Sequence, residues 1–323
     1  MRVHYKELKS GINRTPEFEK KQLASYSINV GVKCGHGCLY CSTGAMLRTH
    51  KLFRECGENP FGFGYAIVDP STLKRVEKDA KRIKKRGLVQ LCTTVDAWTP
   101  EAQEFDLGRK CLKAVLSQPG WTVRILTKNA AVFRDFDLIE EYKDRILIGI
   151  SITATQDKSD VISVIEPQAS SIKERMVVLR EAKARGFRTY AMFCPLLPGI
   201  ADSTEQIDRL IQFATEVGAE EIFAEPVNAR GPGLKLTQQA LQESGFEKEA
   251  AAVGSVRNQK SWSRYTAMLI SNIQRSVYRF HNIDRLRILL YPSNLEADQL
   301  HQIREDDRGV IWLGKKDSGN MGS

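Results

Sequence analysis

The chain has no long hydrophobic run, and no apolar stretch approaches the roughly 20 residues that a membrane-spanning helix needs. A membrane-embedded protein is therefore not expected. Its opening residues, Met1-Arg2-Val3-His4-Tyr5-Lys6, lack the apolar centre of a secretory signal, so a cytoplasmic location is the default expectation. No internal repeat other than strand–helix alternation is visible, and no low-complexity linker divides the chain. Cysteine is scarce, with seven in 323 residues. Four of these, Cys56, Cys92, Cys111 and Cys194, stand singly, which excludes a dense disulfide framework and suits a reducing compartment. Acidic residues are outnumbered, 39 against 48 Lys and Arg, which leaves a net charge of +9. That balance favours an anionic partner, nucleic acid among them.

What is present is concentrated in one place. The other three cysteines fall within eight residues, Cys34-Gly35-His36-Gly37-Cys38-Leu39-Tyr40-Cys41, directly after the apolar run 25–32. Three thiols so spaced can face one point only if the segment wraps around something. Three thiolates suit a [4Fe-4S] cluster, whose fourth iron then lacks a protein ligand and is open to chemistry. Zinc or plain structural thiols are the competing readings. Zinc normally wants a fourth Cys or His at motif spacing, and His36 lies too close to both neighbours to complete a tetrahedron.

The surrounding pattern predicts an α/β fold. After a polar, irregular N-terminal arm (1–24), a strand spans 26–32 and a loop-like stretch spans 42–69, pinned by Phe61, Phe63 and Tyr65. A helix follows to Arg86. Apolar strands at 88–94, 121–127, 145–152, 187–194 and 219–225 then alternate with helices, one of them from about 100 to 118. Nearly continuous apolar strands between amphipathic helices argue for a parallel sheet buried on both faces. Six strand–helix units with right-handed crossovers predict an open, partial (β/α)6 barrel with its strand-end loops on one rim. The expected organisation is an arm (1–24), a barrel (25–227), a small C-terminal α/β extension (228–314) and a flexible tail (315–323). Two basic stretches stand out. Lys78–Arg86 reads as the solvated face of a helix. The block 264–287 interleaves arginines with Tyr265, Tyr278, Phe280 and His281, a mix that can stack bases and hold phosphates, although aromatics at helical spacing also build cores.

The motif Cys34-x3-Cys38-x-Tyr40-Cys41 resembles that of the radical S-adenosylmethionine (SAM) superfamily. The likeness extends over roughly residues 10–290 to its spore photoproduct lyase-like group, through SINVGVKCGHGCLYC, LCTTVD, ILTKN, GISIT, IEPQASSIKERM and FCPLLPG. The resemblance implies a [4Fe-4S] cluster on Cys34, Cys38 and Cys41, with SAM on the open iron. It implies reductive cleavage of SAM to a 5′-deoxyadenosyl radical, which the protein must place and shield. By the same likeness Lys128 matches a lysine that could pair with the SAM carboxylate, and Ser151 a polar SAM contact. Thr93 and Thr94 stand where the methionyl amino group approaches. Tyr40, Glu166 and Arg175 fall on the SAM side, with a structural ion pair as the alternative for the last two. Cys92 matches a cysteine that donates hydrogen to a product radical; a small core residue is its alternative. Tyr265 and Tyr291 echo a tyrosine relay only loosely.

The resemblance thus implies an enzyme, a carbon–carbon lyase or repair activity on a damaged or modified pyrimidine in nucleic acid. An electron donor such as flavodoxin or ferredoxin is the expected partner. The alternative is the same radical chemistry on a peptide, partner protein or small metabolite. A non-catalytic protein with a structural or redox-sensing cluster is the third possibility.

Overall fold

The computed structural model describes residues 1–229 and 231–314, so the expected flexible tail lies outside the described residues. Twelve strands are seen among them: β1 (Arg2–Tyr5), β2 (Asn13–Arg14), β3 (Tyr26–Ile28), β4 (Gly31–Lys33), β5 (Tyr65–Val68) and β6 (Leu88–Leu91). They continue with β7 (Thr122–Thr127), β8 (Ile146–Ser151), β9 (Arg188–Leu196), β10 (Ile222–Pro226), β11 (Leu286–Leu290) and β12 (Val310–Trp312).

Nine strands form one sheet in the order β12-β11-β10-β9-β8-β7-β6-β3-β2. Every neighbouring pair is parallel except β2–β3. The sheet keeps two edges, so this is the expected partial barrel. The six expected strands are β3 and β6 to β10. The C-terminal extension does not build a sheet of its own, because β11 and β12 continue the same parallel ladder.

Alternation along the strands sorts the apolar residues onto two faces. Ile146, Ile148, Ile150, Ala191, Phe193, Ile222, Ala224, Ile288 and Leu290 join the large cluster under the helices. Their alternates Leu147, Tyr190, Met192 and Phe223 form a second cluster inside the barrel, with Leu126, Cys194 and Leu289 packed against it. All six residues of β8 are buried, as expected of a central strand covered on both sides. At Gly149 the interior is so tight that a Cβ would come within 2.2 Å of the Tyr190 ring. The outer helices start where the sequence caps them. Ser171 and Glu174 form a reciprocal capping box for the helix Ile172–Ala184, and Ser203 caps Thr204–Glu216.

Several expectations need correction. The arm is ordered: β1 pairs with β5, β2 with β3, and the short helix Pro16–Lys20 sends Phe18, followed by Leu23, into the interior cluster. The stretch 42–69 holds the helices Thr43–Met46 and Lys51–Glu55 and the fully buried strand β5. The strand expected over 26–32 is two strands in different sheets. β3 lies in the barrel, and β4 joins β1 and β5 in a three-stranded sheet. The helix expected from 100 to 118 breaks at Asp106, whose φ is +53°, into Pro100–Gln103 and Leu107–Leu116.

Candidate active site

The cysteine loop leaves β4 at the barrel rim and is tied down by backbone. Gly35 N donates to Glu101 Oε1 (2.6 Å), Leu39 N to the Ile165 carbonyl (3.0 Å), and Gln168 N to the His36 carbonyl (3.2 Å). Gly37 turns the loop with φ +66°, a conformation that any side chain would strain. All three thiols are free of disulfides. Burial pushes the Cys34 thiol well up, and the neighbouring Cys41 and Cys38 push it further. Burial and then Glu166 raise Cys38 to about 12. Loading a metal centre must therefore displace protons from Cys34 and Cys38.

His36, buried inside the loop, has its Nδ1 3.7 Å from Asp96 Oδ2, and its Nε2 has no hydrogen-bond partner. Burial holds its pKa below the ordinary value, against the pull of Asp96. Asp96 is the clamp of this corner. It accepts from Thr127 Oγ1 and Lys128 N, each at 2.8 Å, and from Trp98 N at 2.9 Å, joining the ends of β6 and β7.

Across from the loop lies a buried charge network. Lys128, just past β7, donates through Nζ to Ser151 Oγ (2.7 Å) and the Cys194 carbonyl (3.4 Å), and lies 3.2 Å from Glu166 Oε1. The same ammonium stands 5.6 Å from the Tyr40 ring centroid. The Glu166 carboxylate, fully buried, also accepts from Arg175, the Tyr40 hydroxyl and Thr153 Oγ1, the last at 3.0 Å. Arg175 spends its remaining donors on the carbonyls of Ser170 (2.7 Å) and Ser151 (3.0 Å). Burial alone would raise the Glu166 pKa. The charges of Arg175 and Lys128 and the hydrogen bonds from Tyr40 and Arg175 outweigh it and hold the carboxyl at about 2.

Five of the site residues expected from the sequence, Tyr40, Lys128, Ser151, Glu166 and Arg175, thus meet in one network beside the cysteine loop. Thr93 and Thr94 sit at the end of β6, where Asn29 holds them: its Oδ1 accepts from both backbone N–H groups (2.9 and 3.1 Å) and its Nδ2 donates to Thr93 Oγ1 (3.0 Å). Asn29, Asp96 and His36 received no role from the sequence. Asn29 interrupts the apolar run SINV and Asp96 ends LCTTVD, which is the signal each one offers.

Cys92 and Tyr265 make no side-chain hydrogen bond to this network among the described residues. Cys92 has φ +63°, and its thiol belongs to the outer cluster, which also holds Cys38, Tyr40 and Cys111; burial and then Asp96 push its pKa well up, with Cys34 adding a smaller push. Tyr265 lies in the same outer cluster and donates to the Leu196 carbonyl (2.9 Å). Tyr291 is half-buried just past β11.

A parallel α/β half-barrel with a free thiol triplet at its rim and a buried cationic network beside it defines a barrel enzyme of the cluster-dependent class. The family model of the Radical SAM superfamily matches residues 28–214, more than half of the chain, and the chain belongs to that superfamily. An uncharacterised protein of Acidianus two-tailed virus is 26% identical over 223 residues, covering 68% of this chain and 72% of the viral one. An uncharacterised protein of Mycobacterium tuberculosis (strain ATCC 25618 / H37Rv) is 24% identical over 224 residues, 69% of this chain and 64% of that protein. The alignment thus leaves about a third of the mycobacterial relative unmatched. Among solved structures, spore photoproduct lyase with bound AdoMet and dinucleoside spore photoproduct superposes with a TM-score of 0.56 at 14% identity, over 86% of this chain and 78% of that one. A tyrosine-to-phenylalanine variant of that enzyme gives 0.57 at 15% identity, over 87% and 79%. At such identities the likeness is one of fold.

The superfamily implies a [4Fe-4S] cluster and SAM. Among the described residues no group of His, Cys, Asp and Glu is gathered tightly enough for a single metal ion. A cluster spreads its thiolates over several irons, so it does not need that closeness. Three unbridged thiols on a loop fixed by Glu101 and Ile165 fit such a group. No helix among the described residues is long and apolar enough to cross a membrane.

Proposed function

We propose that this chain is a radical SAM enzyme acting on nucleic acid, as a lyase or repair enzyme for a modified or damaged pyrimidine, with a flavodoxin- or ferredoxin-type electron donor. The observation that carries the reading is the Lys128–Ser151–Glu166–Arg175 network facing the thiol loop, since strand-end charge buried this deeply needs a purpose beyond packing. When bound, the cluster and SAM would supply reductive cleavage of a carbon–sulfur bond, giving a 5′-deoxyadenosyl radical. Cys34, Cys38 and Cys41 would hold the iron. Lys128, with 15% of its side chain still exposed, would meet the SAM carboxylate. Ser151 would fix the direction of that ammonium, and Glu166 would hold Arg175, Tyr40 and Lys128 in register. Asn29 would keep the Thr93 and Thr94 backbone fixed where the methionyl end approaches. Phe18, Leu23 and Met192 would keep water out from below.

Nucleic acid as substrate is supported by the net charge of +9 and by basic side chains on the outside of the C-terminal helices. Arg264 and Arg275 line a groove with Gln299 and Gln302, and Arg308 stands 5.8 Å from the exposed Tyr278 ring. The target base would have to leave its stack to reach the barrel. The test uses the anaerobically reconstituted, dithionite-reduced protein with SAM and an oligonucleotide carrying a deuterated thymine dimer. The reading expects deuterium in 5′-deoxyadenosine and binding that weakens steeply with salt. Unlabelled 5′-deoxyadenosine together with salt-insensitive or absent oligonucleotide binding would overturn it.

A further inference from the structure

Most polar side chains at the barrel rim satisfy one another; His36 Nε2 and Glu101 Oε2 in the cysteine loop's corner do not, and neither does Glu225. Asn29 bonds Thr93 and Thr94, Asp96 bonds Thr127 and Lys128, and Glu166 bonds Arg175, Tyr40, Thr153 and Lys128. Glu225, on β10, has one hydrogen bond among the described residues, a long one from Cys194 Sγ on the adjacent strand β9 (3.7 Å). Its second carboxyl oxygen has no hydrogen-bond partner among the described residues.

Both residues point to the inside. Cys194 packs against the interior cluster, and Glu225 continues the inward alternation set by Phe223. Both are half-buried although they lie on central strands whose alternates Phe193 and Ala224 are fully buried. Their exposure is therefore to the barrel interior. The Cys194 carbonyl accepts from Ser151 Oγ and Lys128 Nζ, so the pair adjoins the Lys128 network directly. The other charge nearby is Lys21, which follows the Pro16–Lys20 helix and stands over Phe18 at 5.2 Å without an ion pair to Glu225. Burial raises the Glu225 carboxyl above its ordinary pKa, with Lys21 and the Cys194 thiol opposing it only in part.

We propose that Glu225, backed by the Cys194 thiol, reads the substrate inside the barrel, and that its ligand is the edge of a cyclic amide or imide, as in a pyrimidine base. In its protonated form the Glu225 carboxyl offers a donor and an acceptor side by side. That pattern is matched by the cis –CO–NH– edge of a ring, and not by the trans amide of an ordinary peptide bond. The oxygen facing Cys194 accepts from the thiol and from the ring N–H, while the other oxygen donates to the ring carbonyl. A neutral ligand fits a carboxyl whose burial favours its neutral form. This inference rests on the nucleic-acid reading above and names the residue that would select the base.

The test measures equilibrium binding of the thymidine dinucleotide TpT, and of TpT methylated at both N3 positions, to the SAM-loaded full chain and its Glu225→Gln and Glu225→Leu variants. Methylation removes the imide donor and should weaken binding to the unaltered protein about tenfold, the cost of leaving a polar partner unpaired. Glu225→Gln keeps a donor and an acceptor and should retain both affinity and discrimination, whereas Glu225→Leu should lose both. If TpT binds but methylation has no effect, Glu225 does not read the base, and the nucleic-acid reading stands without it. If neither TpT nor single-stranded oligonucleotides bind at low salt, the nucleic-acid reading falls and takes this inference with it.

Discussion

Replacing Glu166 by Gln removes one charge and keeps the shape of the side chain, so it isolates what the buried carboxylate does. In the folded chain the Glu166 side chain is fully buried, faces Arg175 and Lys128, and has its pKa held at about 2 against an ordinary 4.5. That difference corresponds to about 3 kcal/mol at neutral pH. It agrees with the roughly 3–5 kcal/mol typical of breaking a buried ion pair from one side. Arg175 would keep the Ser170 and Ser151 carbonyls and at best a neutral amide oxygen at position 166, and its charge would lose its compensation. Thermal unfolding should therefore fall by on the order of 10 °C. The sign with pH follows from the depressed pKa. Glu166 stabilises the fold fully above the unfolded value of about 4.5, and that contribution disappears as pH falls through about 2. The gap between the unaltered protein and the variant should be constant at neutral pH and close between about pH 4.5 and 2. Adding Arg175→Met to Glu166→Gln should recover part of the loss, since the orphaned charge is gone. The reasoning is refuted by a stability loss under about 1 kcal/mol, or by a gap that stays constant through acid.

Three further outcomes follow from the same geometry. Asn29→Ala should cost about 1–3 kcal/mol, measured by urea unfolding, because the Thr93 and Thr94 N–H groups lose their acceptor. It should also weaken SAM binding, as measured by equilibrium dialysis. Gly149→Ala should destabilise by about 1–3 kcal/mol, since its Cβ would meet the Tyr190 ring at 2.2 Å, and Tyr190→Leu should restore part of that stability. Cys92→Ala should cost about 1–2 kcal/mol as a change in a packed core. A hydrogen-donor role would show separately, as repaired product lost while SAM cleavage continues.

The strand–helix alternation could be read because each barrel strand is a buried apolar run bounded by turn residues, and β6 to β10 fall where those runs stand. The three-stranded sheet could not. β1, β4 and β5 have three or four residues each, and β5 pairs with β1 at Arg2↔Tyr65 and with β4 at Gly31↔Val68, far along the chain in both cases, so no local pattern marks them. The N-terminal arm misled for a similar reason. Phe18 and Leu23 enter the barrel, Ile12 joins the large cluster and Leu8 packs by the three-stranded sheet, and apolar residues so scattered through a polar stretch make no periodicity. In the site, Lys128 and Ser151 could be found because both sit at strand ends within matched motifs. Asn29 and Asp96 were passed over because their work is to accept hydrogen bonds from backbone and hydroxyl groups on other strands, a role that spacing does not encode. Glu225 reads in sequence as one charge at the end of a strand. Only the neighbouring Cys194 and the shared interior face give it meaning.

The central claim is that the Cys34–Cys41 loop and the Lys128 network form one SAM-cleaving site. The most direct measurement is 5′-deoxyadenosine released when the anaerobically reconstituted protein, reduced with dithionite, meets SAM. The unaltered chain should form it. A variant with Cys34, Cys38 and Cys41 all changed to Ala should form none, and Lys128→Met should need on the order of tenfold more SAM for the same rate. Absence of 5′-deoxyadenosine from the cluster-loaded, reduced, unaltered chain would contradict the account, and so would its undiminished release by the triple variant.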